Sequence, residues 1–280
     1  MRYTQRRLMN LGAQALAVAC TVAVLVPLVL IFGYLVVKGI TSVNLDFFLN
    51  LPKPVGEPGG GMANAIVGTV ILIALACTVG LPVGIGAGVY LAEYGHGRLG
   101  WTIRFAADIL NGVPSIVIGI YAYTVVVLPM HGFSAYAGGL ALGVIMLPIV
   151  ARTTEEMVKL VPDSLREASL ALGVPAWRTV LWVVLRTARG GIITGIMLAV
   201  ARVGGETAPL LFTAFGNQFW HHGLSGPIAS LPVQIYTYAI SPFDDWRRQA
   251  WAGALVLLML IFLTSLAVRL ATRGGVRAAS

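Results

Sequence analysis

Six apolar runs decide what this chain can fold into, because most of them approach or exceed the roughly 20 residues that a helix needs to cross hydrocarbon. Hydrophobic residues make up 58% of the 280 residues and charged residues 11%, against about 25% charged in ordinary soluble domains. Alternating strands of about 10 residues, which are typical of a membrane β-barrel, do not occur. The sequence therefore predicts an all-α integral membrane protein with about six transmembrane helices. We place them at about 15–37, 64–92, 104–128, 134–151, 191–214 and 250–270.

The basic residues are concentrated in alternate segments between these runs. With the N-terminus in the cytoplasm, 14 of the 19 Lys and Arg residues lie on the cytoplasmic side and 4 outside, and Arg202 remains inside a helix. This bias follows the positive-inside rule. The net charge of +8 therefore reports topology and does not indicate nucleic-acid binding. The first run is longer than the roughly 7–15 apolar residues of a signal peptide, so we expect a retained helix.

This topology places both termini in the cytoplasm and divides the chain into tails, a membrane domain and loops. The predicted segments are a cytoplasmic tail at 1–14, a transmembrane domain at 15–270 with a cytoplasmic loop at about 152–190 and outer loops at about 38–62 and 215–249, and a cytoplasmic tail at 271–280. Within the second outer loop, 226–236 is too apolar for a solvated loop and too rich in proline for a spanning helix. It is typical of an interfacial or re-entrant hairpin, or of a surface for an extracytoplasmic partner.

Small residues and a proline mark two places where the helices have special packing. Gly80, Gly84 and Gly88 share one face of the second helix, and such a face lets two membrane helices approach closely, either within the chain or between subunits. The segment 111–115 interrupts the third helix, which indicates either a proline kink or a broken helix that lines a cavity. Near it, Arg104 and Asp108 have the spacing at which helical side chains meet.

The cytoplasmic loop contains the pattern of two short helices. Ser164 and Glu167 have the spacing of a capping box, which predicts a helix start at this point. Gly173 stands where a helix of about nine residues needs a left-handed residue, and Pro175 suits the start of a second helix. A charged segment inside such an apolar chain indicates a docking surface for a soluble partner, although packing on the chain's own membrane domain is the alternative.

A resemblance favours the docking surface. Glu167, Ala168 and Ser169, followed by Gly173, resemble the EAA motif of ABC-importer permeases, whose short coupling helix docks on an ATPase subunit. The resemblance implies that this segment, Arg166 included, couples the chain to an ATPase. Ser169 replaces the usual second Ala and keeps the small size, whereas Arg186 stands where the family usually has a Pro.

A second set of blocks is more specific. The block at 201–214 closely resembles the signature of the A-type permeases of phosphate-specific (Pst) ABC importers, and the blocks at 59–69, 112–117 and 231–236 are similar to that family too. The resemblance implies phosphate import across the bacterial inner membrane. It implies as partners two copies of an ATPase that hold ATP and Mg, a homologous permease, membrane lipids and an extracytoplasmic phosphate-binding protein.

Three charged residues are candidates for the substrate path. Placing Arg202 at the centre of a helix costs about 2.5–3.5 kcal/mol on insertion scales, so it is expected to face protein or water. Its guanidinium suits phosphate oxygens, and Arg152 is the second candidate. Glu206 lies four residues after Arg202, and it either tunes this arginine or forms a structural ion pair with it. The alternative for Arg152 is a marker of the cytoplasmic interface.

The remaining motifs argue against ATP binding, catalysis or a metal site in this chain. Its lysines, Lys38, Lys53 and Lys159, do not follow glycine, so the sequence contains no phosphate-binding loop for ATP. We therefore predict a transport subunit that is not an enzyme and has no cofactor of its own. The pair His221 and His222 lacks Cys or carboxylate partners at ligand spacing, so we predict no metal site. The rival interpretations are a permease for sulfate or molybdate and, more remotely, a membrane-embedded lipid-modifying enzyme.

Overall fold

A computed structural model describes residues 3–57 and 59–273. These residues form helices joined by turns and contain no strand, which confirms the predicted all-α class. In chain order the α-helices are α1 (Tyr3–Gly39), α2 (Leu45–Leu49), α3 (Ala63–Glu93), α4 (Arg98–Gly112), α5 (Ser115–Ala122), α6 (Leu128–Met130), α7 (Ala135–Lys159), α8 (Asp163–Ala171), α9 (Ala176–Arg178), α10 (Leu185–Gly204), α11 (Ala208–Thr213), α12 (Leu231–Ala239) and α13 (Asp244–Arg273). Short π-helical stretches at Tyr123–Val127 and Thr179–Val184 join α5 to α6 and α9 to α10.

The number of spans agrees with the prediction. Five helical segments of the described chain are long and apolar enough to cross a membrane. A sixth span forms if α4 and the segment Ser115–Met130, which are bent by 103° at their junction, are counted together. The helix breaks at Val113 and Pro114 because a residue before proline is pushed out of the helical region, and Val113 has extended ψ of 129°.

The helices on either side of the charged loop do not end where the predicted runs end. The fourth run is predicted at 134–151, whereas α7 continues through Arg152 and Glu155 to Lys159. These charges pair with one another, as described below, so they do not end the helix. The fifth run is predicted at 191–214, whereas the apolar helical segment that contains most of it begins at Ala176 and ends at Gly204. The loop predicted at about 152–190 is therefore mostly helical.

The packing of α3 against α7 forms the centre of the bundle. A Cβ on Gly80 would lie 3.1 Å from the carbonyl oxygen of Gly143, and one on Gly84 would lie 2.8 Å from the Cβ of Val150. The glycine face therefore brings α3 and α7 of the same chain together, which settles the alternative that the sequence left open. Both helices run toward one end of the bundle. We call this the charged end, since Glu93, Lys159 and α8 lie there.

The apolar segment 226–236 folds back into the bundle. Ala229, Ser230 and Leu231 are buried, and the backbone N–H of Leu231 donates a hydrogen bond of 2.8 Å to the hydroxyl of Thr69 on α3. The chain then turns into α12, where Tyr238 stacks on Trp246 of α13 with ring centroids 4.6 Å apart. Its apolar composition therefore reflects packing on the chain's own helices.

Candidate functional site

The first candidate site lies where α10 ends near the middle of the bundle. A Cβ on Gly204, the last residue of α10, would lie 3.3 Å from Ile261 and 3.5 Å from Ile73, and these residues are near the middle of α13 and α3. After Gly204 the backbone makes a tight turn before α11 begins at Ala208. Broken helices at such depth occur where backbone is buried in protein or lines a wet cavity.

Arg202 therefore lies in the last turn of α10 and not in the middle of a helix, which corrects the prediction from the apolar run. A cation in this position interacts favourably with the negative end of the helix dipole. Its Nη2 is 3.9 Å from Oε1 of Glu206, which is too long for a hydrogen bond. The Arg202 side chain is 58% exposed and that of Glu206 is 15% exposed. The two form a loose ion pair that leaves the guanidinium accessible.

The broken span formed by α4 and α5 packs next to this turn. A Cβ on Gly119 of α5 would lie 2.6 Å from the Cα of Pro209 on α11, so the two short helices are in close contact. α5 follows the break at Val113–Pro114, and α11 follows the turn at 205–207 after the end of α10. Arg202 thus lies at a helix end close to the broken span.

Arg152 has a different environment, because other protein side chains already occupy its guanidinium. Its Nη2 donates to both carboxylate oxygens of Asp108 at 2.6 Å, and its Nε donates to Oδ1 at 3.1 Å. Glu155 accepts a further bond of 3.3 Å. The expected contact between Arg104 and Asp108 is absent from the ion pairs of the described residues. Both side chains instead reach from α4 to α7, where Arg104 binds Glu155 at 2.7 Å.

Glu155 holds this network together. Its side chain is 2% exposed and accepts from Arg104, from Arg152 and, at 2.6 Å, from Lys159. A buried carboxylate is stable only when it is paired, and three cations around Glu155 satisfy this condition. Asp108 and Glu155 were not identified as site residues from the sequence. The spacing of Glu155 from Arg152 and Lys159, three and four residues on one helix, was the available signal.

The second candidate site is α8 at the charged end. The helix begins at Asp163 with Pro162 as its N-cap, two residues before the predicted N-cap Ser164, so Ser164 lies in the first turn and no side chain caps the N-terminus. The capping-box prediction is therefore wrong. The C-terminal prediction is confirmed: Gly173 has φ of +79°. The N–H groups of Gly173 and Val174 donate to the carbonyls of Leu170 and Ser169, which is the Schellman pattern.

The five residues predicted to couple to a partner do not share one face of this segment. Arg166 is 19% exposed and Ser169 is buried, and both contact the chain's own helices. Glu167, Ala168 and Gly173 are exposed. Two large apolar side chains, Leu170 and Leu172, are 49% and 84% exposed beside them. The outer side of α8 therefore offers a carboxylate within an apolar surface.

Comparisons with known proteins agree on the class of this fold. Residues 84–274 match the family model described as binding-protein-dependent transport system inner membrane component. A phosphate transport system permease protein PstA of Yersinia pestis is 48% identical over 267 residues, which cover 94% of this chain and 90% of that protein. The PstA 1 protein of Mycobacterium tuberculosis strain H37Rv is 37% identical over 272 residues, covering 94% and 87%.

A solved structure with the same fold is the inward-facing MetNI methionine ABC transporter. It superimposes with a TM-score of 0.61 and 19% identity over 76% of this chain and 97% of that one. At this identity the likeness concerns the arrangement of helices alone.

Proposed function

Since the chain belongs to the family of binding-protein-dependent transport system inner membrane components and is related to PstA permeases over most of its length, we propose that it carries inorganic phosphate into the cell. It is the membrane-spanning permease subunit of an ATP-driven importer, as the sequence blocks predicted. The observation that carries the proposal is the 48% identity over 94% of the chain to a phosphate transport permease.

The chain is a multi-pass membrane protein, and the finer topology follows from its charges. We place it in the bacterial inner membrane with both termini in the cytoplasm. The excess of Lys and Arg in alternate segments supports this orientation. It puts the charged end, with α8, on the cytoplasmic side, and it puts α12 near the outer surface. A soluble ATPase can reach α8 only in this orientation.

Arg202 is the residue that we assign to the substrate. It lies in the last turn of α10, its side chain is 58% exposed, and the carboxylate of Glu206 is 3.9 Å away. It can therefore donate two parallel hydrogen bonds to phosphate oxygens without first breaking a strong pair. Glu206 moderates the positive charge so that phosphate is also released, as passage through a pore requires. Arg152 is the second candidate for contact with phosphate, which must first displace Asp108 from its guanidinium.

The energy for transport comes from other subunits. We propose that two ATPase subunits, which bind ATP and Mg, lie below the permeases and that one of them docks on the exposed face of α8, with Glu167, Ala168 and Gly173 at the contact. A homologous permease stands beside this chain, and a phosphate-binding protein delivers the substrate from outside. The chain itself is a transport subunit, and hydrolysis takes place on its partners.

The test is uptake by the reconstituted complex. Proteoliposomes that contain the chain with its ATPase, second permease and binding protein should import phosphate only when ATP is supplied. Excess sulfate or molybdate should not compete. Arg202→Gln should reduce uptake by at least about tenfold, the effect of losing roughly 1.4 kcal/mol of interaction, whereas Arg202→Lys should retain part of it. Normal uptake by an assembled Arg202→Gln complex would refute the role of this residue, and competition by sulfate would refute the substrate.

A further inference from the structure

Arg166 was grouped with the residues that contact an ATPase, but its side chain points into its own chain. The guanidinium is directed at the junction of three elements, and its side chain is only 19% exposed. Its Nη2 donates to Glu93 at 2.8 Å and to the carbonyl of Val158 at 3.0 Å, and its Nη1 donates to the carbonyl of Val161 at 2.6 Å. Asp163 accepts a further bond of 3.1 Å.

The acceptors of Arg166 belong to the ends of the two central helices. Glu93 is the last residue of α3, Val158 lies in the last turn of α7, and Val161 lies in the turn that follows α7. The last carbonyls of a helix have no partner within it, and the negative ends of two helix dipoles meet at this point. A cation with several donors satisfies both conditions at once. Arg166 therefore fastens α8 to α3 and α7 together.

A second bond fastens the same inner side of α8, three residues further along the helix. The hydroxyl groups of Ser169 and Thr179 are 2.9 Å apart, and both residues are buried. Thr179 lies in the helical segment that runs from Ala176 to Gly204 and ends beside Arg202. The serine that replaces the usual alanine of the motif thus adds a contact between α8 and the span that carries the candidate substrate residue.

We infer that Arg166 is a positioning residue, which with Glu93 makes α8 move together with α3 and α7 and so transmits the motion of the ATPase to the spans. The inference rests on the proposed function. It assigns the contact with the ATPase to Glu167 and its exposed neighbours. Arg166 and Glu93 instead hold α8 against the ends of α3 and α7. Loss of this pair should leave the docking face intact while weakening the link behind it.

The experiment measures the ATP hydrolysed per phosphate imported by the reconstituted complex, with copurification of the ATPase as a measure of assembly. Glu93→Gln and Arg166→Gln should keep the ATPase bound and raise this ratio by at least about fivefold, the low end of typical coupling effects. Arg166→Lys, which keeps the charge but cannot reach all acceptors, should give an intermediate ratio. Glu156→Gln is the matched control, since Glu156 is exposed on α7 near the same end, and it should behave as wild type.

The outcomes separate three cases. In the first case, Glu93→Gln and Arg166→Gln leave the ATP hydrolysed per phosphate imported unchanged, because uptake and hydrolysis fall in parallel or do not fall. This result would overturn the positioning role and leave a structural ion pair. Loss of the bound ATPase in both variants would also overturn it, because Arg166 would then support the docking face itself. A wild-type complex without ATP-dependent phosphate uptake would instead refute the proposed function.

Discussion

The contact between α3 and α7 can be tested with two glycines of the same helix. A Cβ on Gly88 would lie 2.5 Å from the Cβ of Thr154 and 2.6 Å from the carbonyl oxygen of Ala151, whereas one on Gly86 would meet nothing within 4 Å. Alanine in place of glycine in a helix interior gains about 1 kcal/mol. Overpacking against backbone costs about 1–3 kcal/mol. We therefore expect Gly86→Ala to stabilise the protein by about 1 kcal/mol and Gly88→Ala to destabilise it by up to about 2 kcal/mol.

The assay is the apparent melting temperature of the purified protein in detergent, followed by tryptophan fluorescence. The two variants differ in stability by the overpacking cost of about 1–3 kcal/mol, so at about 2–4 °C per kcal/mol for a chain of this size their melting temperatures should differ by about 2–12 °C. Gly86→Ala controls for helix propensity and for the added methyl group. A Gly88→Ala protein as stable as Gly86→Ala would refute the claim that this glycine face is closed against α7, and would favour a face that is open to another subunit.

Three further substitutions test the second site and the substrate residue. Gly173→Ala should lower the free energy of unfolding by about 1–2 kcal/mol, since alanine is strained at positive φ. It should also lower the phosphate imported per ATP hydrolysed, which is the measurement that tests the prediction. Gly173→Asn should have a smaller effect on both quantities. Ser169→Ala leaves the Thr179 hydroxyl buried without this partner, which should lower the free energy of unfolding by about 1–3 kcal/mol. Adding Thr179→Val should restore the thermal stability, and additive losses in the double variant would contradict the shared bond. Glu206→Gln should change the apparent affinity for phosphate without lowering expression; an unchanged uptake curve would assign the residue to packing alone.

Local signals in the sequence were sufficient for the end of α8. Gly173 was predicted from the length of a nine-residue helix, and its left-handed backbone with the Schellman bonds confirms this. The start lies two residues before the predicted one, because Ser164 offers a capping pattern that the actual N-cap, Pro162, does not use. The C-terminus of this helix needs a residue with positive φ, so a single glycine specifies it. The N-terminus can begin at any of several neighbouring residues, so its position is less well specified.

Ion pairs between residues on different helices could not be predicted from the sequence. The charges from Arg152 to Lys159 were taken as the end of a span, since a charge in an apolar run is costly unless it is paired. Their partners, Asp108 and Arg104, lie on α4, and one sequence does not reveal which helices become neighbours. The ion pair of Arg166 and Glu93 could not be predicted for the same reason, since 73 residues separate the two in the chain. The sequence thus identified the charged residues, but it could not predict that they bind each other.

The two anchors of α8 determine which parts of the bundle can move together. Arg166 binds the ends of α3 and α7, and Ser169 binds the span from Ala176 to Gly204, which at 1.5 Å per residue is about 42 Å long. This span also packs closely on α7, since a Cβ on Gly195 would lie 2.6 Å from the Cβ of Thr153. Bonds and close packing therefore join α8 to α3, to α7 and to the segment from Ala176 to Gly204, and that segment ends two residues after Arg202.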